Sequence, residues 1–331
     1  MLNIFRTNQL ATTILLLLYI IVLHASIFVN SAPVSPAESS GVFSDWLLLK
    51  IGDSVLWSQI TVWLLLLFQA FTINAIALEH RLQNEFTLFP GLFYVLFCSL
   101  FPDFLYLSPA LLGNTFFIIA VGQMMQCYKK ASTAGRLFNV GFWLGIGGFF
   151  YFSFNFLILW ALIGVTSLRA FRLREALQIL FGLFGAWLLV GTIYYMTGNF
   201  SLLWENTARE GVAFYDYENT GNVPVFVKGG IVGLIVLLAV FSLDAFVSKK
   251  VMMVQRKVIV LYRALFVIAL TMLFQANMSL QHLLLFGVPL SFLTAFWFIN
   301  MKKNTAESLH FILFVAVILY QFSGKLFNVG L

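Results

Sequence analysis

Three aspartates, Asp45, Asp53 and Asp103, lie in short polar gaps between long apolar runs, accompanied by aromatic rings and a few cations. The first gap carries Asp45, Lys50 and Asp53. The second joins two apolar runs through Phe101-Pro102-Asp103-Phe104-Leu105-Tyr106. The third holds Trp204, Glu205, Arg209, Glu210, Tyr215, Asp216 and Tyr217, with Lys228 just beyond. Carboxylates beside aromatic faces are what a sugar site uses. Their oxygens accept from hydroxyls, rings stack on the sugar, and an ionised carboxylate activates an acceptor. On that reading Asp45, Asp53 or Asp103 is the base, Trp204, Tyr215 and Tyr217 hold the sugar, and Lys50, Arg209 and Lys228 hold a phosphate. A solvated loop bordered by an ordinary aromatic belt accounts for the same residues.

Other chemistries find little support. His24 and His282 fall toward one end of their apolar runs and His80 and His310 toward the other, so the two pairs are separated by most of a hydrocarbon core of about 30 Å. Ligands to one metal sit about 2 Å from it, so no four-histidine metal site is expected. No Walker loop, GxGxxG fingerprint, GxSxG elbow or CxxC pair occurs. Cys98 and Cys127 lie in separate apolar runs, toward opposite faces, and are not expected to pair. Asp244 and Arg263 flank one loop and read as a structural ion pair rather than a proton relay.

The elements that must position these residues are set by composition. The chain is 61% hydrophobic and only 10% charged, against about 45–50% and about 25% for soluble domains. That balance specifies lipid as the solvent. The first apolar run, Gln9–Phe28, is longer than the apolar region of a signal peptide and is kept as a membrane helix. Phe43–Ile51 reads as a short interfacial helix with Trp46 at headgroup level and Asp45 and Lys50 toward water. Further runs cover about Ser54–Leu78, Phe86–Phe101 and Leu107–Tyr128. Between Arg136 and Arg169 lie 32 uncharged residues, too many for one span of about 20 and few for two. Both flanks are basic, so a hairpin of two short helices turning near Tyr151–Asn155 is expected, its arms packed through Gly141, Gly145, Gly147 and Gly148. The remaining runs are about Ala176–Met196, Phe226–Val247, Val258–Gln275, His282–Asn300 and Leu309–Phe322.

Fifteen of the nineteen Lys and Arg residues then fall in alternate gaps, and four, Lys50, Arg209, Lys228 and Lys325, in the others. By the positive-inside rule the N-terminus is cytoplasmic and the C-terminus outside. The three candidate carboxylates therefore share the outer face. The +6 formal charge sits in juxtamembrane clusters facing anionic lipid, and nucleic-acid binding is not expected.

The run Phe101–Arg174, with FPDFLYLSPALLGN, YKKASTAGRLF, GFWLGIGG and SLRAFRLRE, resembles an uncharacterised multi-pass inner-membrane family of Bacteroidota. That resemblance implies a Gram-negative inner membrane and no particular activity. Residues 10–60 are similar in plan to GT-C-type glycosyltransferases, which use polyprenyl-phosphate sugars on the outer face. In those enzymes a first helix leads into an outer loop holding a catalytic carboxylate, the place of Asp45 or Asp53 here, with Asp103 as a neighbour. The chain departs from them in its short first loop and in having no C-terminal periplasmic domain after the last run.

The expectation is thus an all-α, polytopic bundle of about eleven helices in one membrane domain. It has no resident metal or cofactor, and its partners are the bilayer and a lipid-linked sugar. A non-catalytic scaffold subunit, binding a membrane protein through the glycine surfaces at Gly141–Gly148, Gly182–Gly185 and Gly229–Gly233, is the alternative. A lipid or solute transporter is the third reading.

Overall fold

The structure, a computed structural model, describes residues 2–6, 10–28, 41–51, 54–83, 87–209, 223–242, 250–272 and 280–326. Among these residues the regular structure is helical throughout, with no strand. Lipid leaves no water to satisfy a backbone amide or carbonyl, so each apolar segment closes its own hydrogen bonds as a helix. Four helical stretches are long and apolar enough to cross a bilayer: Val55–Glu79, Leu173–Met196, Leu280–Asn300 and Lys303–Phe322. Among the described residues, shorter apolar stretches such as Phe89–Cys98, Pro109–Met125 and Phe226–Phe241 run 10–17 residues, a length that backbone enclosed by protein can adopt without matching the bilayer.

Two compact units divide the chain. The first comprises Met1–Ser35, Ser54–Leu107 and Leu290–Leu331, the second Pro36–Asp53 and Ser108–Pro289.

The first unit contains helices α1 (Leu10–Leu23), α3 (Val55–Glu79), α4 (Phe89–Cys98) and α14 (Lys303–Leu326), with most of α13 (Gly287–Asn300). Every residue of α4 is buried, and polar side chains fix its neighbours. Gln69 on α3 accepts from the Tyr94 hydroxyl at 2.9 Å. Asn74 Oδ1 accepts from the Gly91 amide at 2.8 Å. Gly91 is the third residue of α4, so a side chain of α3 satisfies one of the amides that a helix leaves open at its N-terminus. A Cβ on Gly91 would lie 2.5 Å from Asn74 Nδ2 and 2.6 Å from the Ala70 carbonyl, which is why the site requires glycine. Ser99 lies 3.2 Å from His24 Nε2 and accepts on its carbonyl from Gln321 at 2.6 Å, while Ser26 donates to Gln321 at 3.1 Å. These pairings set relative directions: α1, α4 and α14 run parallel and α3 runs against them. That is the alternation the basic gaps require.

In the second unit the order is α2 (Val42–Ile51), α5 (Pro109–Met125), α6 (Ala134–Gly148), α7 (Ser153–Phe156), α8 (Ile158–Leu168), α9 (Leu173–Met196), α10 (Phe200–Leu203), α11 (Val223–Phe241) and α12 (Met252–Thr271). A 3-10 stretch, Leu280–Phe286, leads into α13. Helix α5 starts with Ser108 accepting from the Leu111 amide and Pro109 in its first turn, a pairing suited to a helix start. Its tightest interface is between α6 and α9. A Cβ on Gly141 would meet the Ile179 carbonyl oxygen at 1.9 Å, and one on Gly182 would meet the Phe138 carbonyl oxygen at 2.0 Å. Gly145 faces Ala186 in the same seam, so Gly141 and Gly145 pack α6 on α9 and not, as expected, on the second arm of the hairpin. Small residues at four-residue spacing on both helices thus bring the backbones together, the mode by which helices associate in lipid. The opposite face of α9 carries Phe181 and Phe184, each 61% exposed, with Leu188 and Ile193. So wide an apolar face suits acyl chains rather than water.

Arg263 of α12 donates to Thr166 Oγ1 at 2.7 Å and to the Ile163 carbonyl. Its expected partner Asp244 lies outside the described residues.

Candidate functional site

Helix α2 is short and amphipathic by position rather than by strict period, and the structure gives it a built seat. The Gly41 amide donates to the Phe150 carbonyl at 3.0 Å and the Phe43 amide to the Phe149 carbonyl at 3.1 Å. Ser44 Oγ bridges the Gly41 and Phe150 carbonyls at 2.7 and 2.9 Å. The N-terminus of α2 therefore rests on the C-terminal end of α6, opposite ends of two helix dipoles. A Cβ at position 41 would lie 2.1 Å from the Phe149 oxygen, so a side chain there would lift the helix from its seat. Beneath it Val42, Phe149, Ala186, Val190 and Leu203 form a buried core.

On this seat α2 and the residues around it border a half-open cavity of about 410 Å³ lined by Phe43, Trp46, Leu47, Phe150 and Tyr194. The volume falls within the about 300–1,000 Å³ of small-molecule sites. The wall is apolar except for the hydroxyl of Tyr194. The charged residues of α2 are Asp45, half-buried, and Lys50, exposed, and neither is among the lining residues. Lys50 Nζ lies 4.2 Å from the centroid of the Trp46 ring, a cation–π contact. Trp46 is 56% exposed, so one face of the indole remains open beside the cavity. An apolar chamber lined by an open indole, with a cation on that ring, suits an amphiphile with a polar, phosphate-bearing head.

The expected site residues distribute unevenly. Asp45 and Lys50 are both on α2, outside the cavity lining, with Lys50 on the ring of the lining residue Trp46. Trp204 is exposed and directly follows Leu203 of the core beneath α2, in the π-helical turn Trp204–Arg209. Lys228 is half-buried on α11 and is not among the cavity-lining residues. Asp103 belongs to the first unit, in the turn Pro102–Phe104, whereas Asp45 belongs to the second. Asp53, Tyr215 and Tyr217 lie outside the described residues, as does the side chain of Arg209. Phe43, Leu47, Phe150 and Tyr194 escaped the reading of the sequence. Tyr194 carried the one usable signal, a Tyr-Tyr pair at the end of an apolar run.

The buried histidines are engaged separately. His24 meets Ser99, His310 lies 3.2 Å from the Tyr19 hydroxyl, and His282 lies 3.3 Å from the Tyr151 hydroxyl and 3.0 Å from Thr271 Oγ1. Among the described residues no three His, Cys, Asp or Glu side chains converge. Comparison with family models, curated proteins and solved structures finds no match.

Proposed function

We propose that this chain is a multi-pass protein of a bacterial inner membrane, N-terminus cytoplasmic and C-terminus outside, that holds a lipid-linked sugar at its outer face. The carrying observation is the seated α2 helix with its apolar pocket, lined by Trp46, on whose ring Lys50 lies. The chamber takes part of the lipid chain, Lys50 meets the phosphate, and the open face of Trp46 stacks on the sugar. The likeness in plan of residues 10–60 to GT-C-type glycosyltransferases supports the same place. The enzymatic form of this reading takes Asp45 or Asp53 as the base, Arg209 and Lys228 as partners of the phosphate, and Trp204, Tyr215 and Tyr217 as partners of the sugar. The bundle then has about eleven spans, with α6 and α8 as the arms of the short hairpin.

One observation favours a second reading, a scaffold subunit. Gly141, Gly145 and Gly182 are consumed by packing within the chain, but Gly229, Gly230 and Gly233 on α11 have open space where a side chain would be. A partner helix could approach there.

Native mass spectrometry of the full-length protein in mild detergent separates the two. A retained polyprenyl-phosphate or sugar-lipid adduct, lost in Trp46→Ala with folding preserved, supports the first reading. A stoichiometric protein partner without such a lipid supports the second. If an activity is found, Asp45→Asn combined with Asp53→Asn should abolish it; retained turnover would sink the catalytic assignment.

A further inference from the structure

Two loops at one end of the second unit are tied together by side chains whose charges are directed inward. The first joins α5 to α6 and contains Gln126, Lys129, Lys130 and Thr133. The second joins α8 to α9 and contains Arg169, Phe171 and Arg172, with Leu173 and Arg174 opening α9. Arg169 Nη1 donates to Thr133 Oγ1 at 2.7 Å, and Arg169 Nη2 lies 3.4 Å from Glu175 Oε1. Arg136 Nε donates to Gln126 Oε1 at 3.2 Å. Glu175, the sole carboxylate in the sequence from residue 126 to 175, is buried in the pair with Arg169.

What remains at the surface is positive. Lys129, Lys130, Arg172 and Arg174 are all exposed. Lys129, in the turn beyond the end of α5 at Met125, has a left-handed backbone (φ 50°) at the lysine pair. Between the arginines stand Phe171 and Leu173, 63% and 68% exposed. Charged residues that merely set topology need no exposed apolar side chains interleaved with them and no buried clamp between loops. A phospholipid headgroup uses both: cations meet phosphate, and the apolar side chains enter the glycerol and acyl region beside it.

We infer that these loops form a specific site for an anionic membrane phospholipid whose headgroup carries two phosphates. One phosphate is held by the Lys129/Lys130 pair and the other by Arg172 and Arg174, whose guanidinium groups offer paired donors to phosphate oxygens. The Arg169–Thr133 bond ties together the two loops that carry these pairs. This site is independent of the α2 cavity.

The test uses the full-length protein in mild detergent, titrated by native mass spectrometry with diphosphatidylglycerol, phosphatidylglycerol and phosphatidylcholine, with inorganic phosphate as competitor. Diphosphatidylglycerol should bind most tightly. Each removed surface cation is worth about a fivefold loss of affinity, so Arg172→Gln with Arg174→Gln should weaken it by more than about tenfold. Lys129→Gln with Lys130→Gln should act alike, reading the site from the other loop should the arginine variant not fold. Lys302→Gln with Lys303→Gln, a basic pair of the first unit, should change little. Equal binding of phosphatidylglycerol, an equal loss in the Lys302/Lys303 variant, or full displacement by inorganic phosphate would each overturn the proposal.

Discussion

Replacing Gly141 by alanine adds one methyl group to the α6–α9 seam at its closest point. The new Cβ would stand 1.9 Å from the Ile179 carbonyl oxygen and 2.9 Å from Leu183 N. Carbon and oxygen in a close helix contact sit about 3.3–3.6 Å apart, so the helices must separate by roughly 1.5 Å or tilt. The atoms in the way are backbone, which has no rotamer to escape into. Separation also loosens Gly145 against Ala186 and Gly182 against Phe138 in the same seam. Overpacking of this kind costs about 1–3 kcal/mol, set against about 0.5–1 kcal/mol that alanine gains over glycine in a helix. Net destabilisation of about 1–2 kcal/mol is therefore expected. The assay is thermal unfolding in detergent, followed by the monodisperse fraction on size exclusion. Gly233→Ala is the internal comparison, because a Cβ there meets nothing within 4 Å; its midpoint should hold or rise. Gly141→Ala combined with Gly182→Ala should be non-additive, since one adjustment relieves both contacts. A Gly141→Ala protein that melts at or above the parent would refute the close-packed seam.

Two further perturbations probe other parts of the fold. Arg169→Gln leaves Glu175 buried without its cation and should cost about 3–5 kcal/mol, with Glu175→Gln in the same chain restoring part of the loss; an unchanged melting midpoint would mean the pair is solvated. Asn74→Ala removes the acceptor for the Gly91 amide at the start of α4 and should cost about 1–3 kcal/mol. Hydrogen exchange at Gly91 checks it directly, and protection equal to the parent would show that another group takes over.

Helical class and the placement of most helices were legible because apolar runs and their charged borders are local properties. Helix α2 is a case in point: Trp46 at one level with Asp45 and Lys50 near it marked a short surface helix, and Val42–Ile51 is that helix. Its seat was not legible. The bonds that hold it run to the Phe149 and Phe150 carbonyls, and backbone acceptors leave no trace in residue type. The glycines of α6 and α9 were visible as small-residue motifs, yet their reciprocal pairing depends on the register of two helices about 40 residues apart. Arg263 illustrates a different limit. Asp244, the partner the sequence suggests, lies outside the described residues, and the bonds Arg263 makes to the Ile163 carbonyl and Thr166 on α8 join residues about 100 apart in the chain, which no local pattern marks.

Helix α4 has a consequence for how the protein is made. Its ten residues extend about 15 Å, half of a hydrocarbon core of about 30 Å, and all are enclosed by protein. A segment this short gives the insertion machinery no stable span to release sideways into lipid, and one of its first amides has its acceptor, Asn74, on the earlier helix α3. The earlier helices α1 and α3 must therefore stay beside the translocon until α4 emerges, and the group enters the bilayer together. The order of biogenesis is then fixed by a helix that meets no lipid at all.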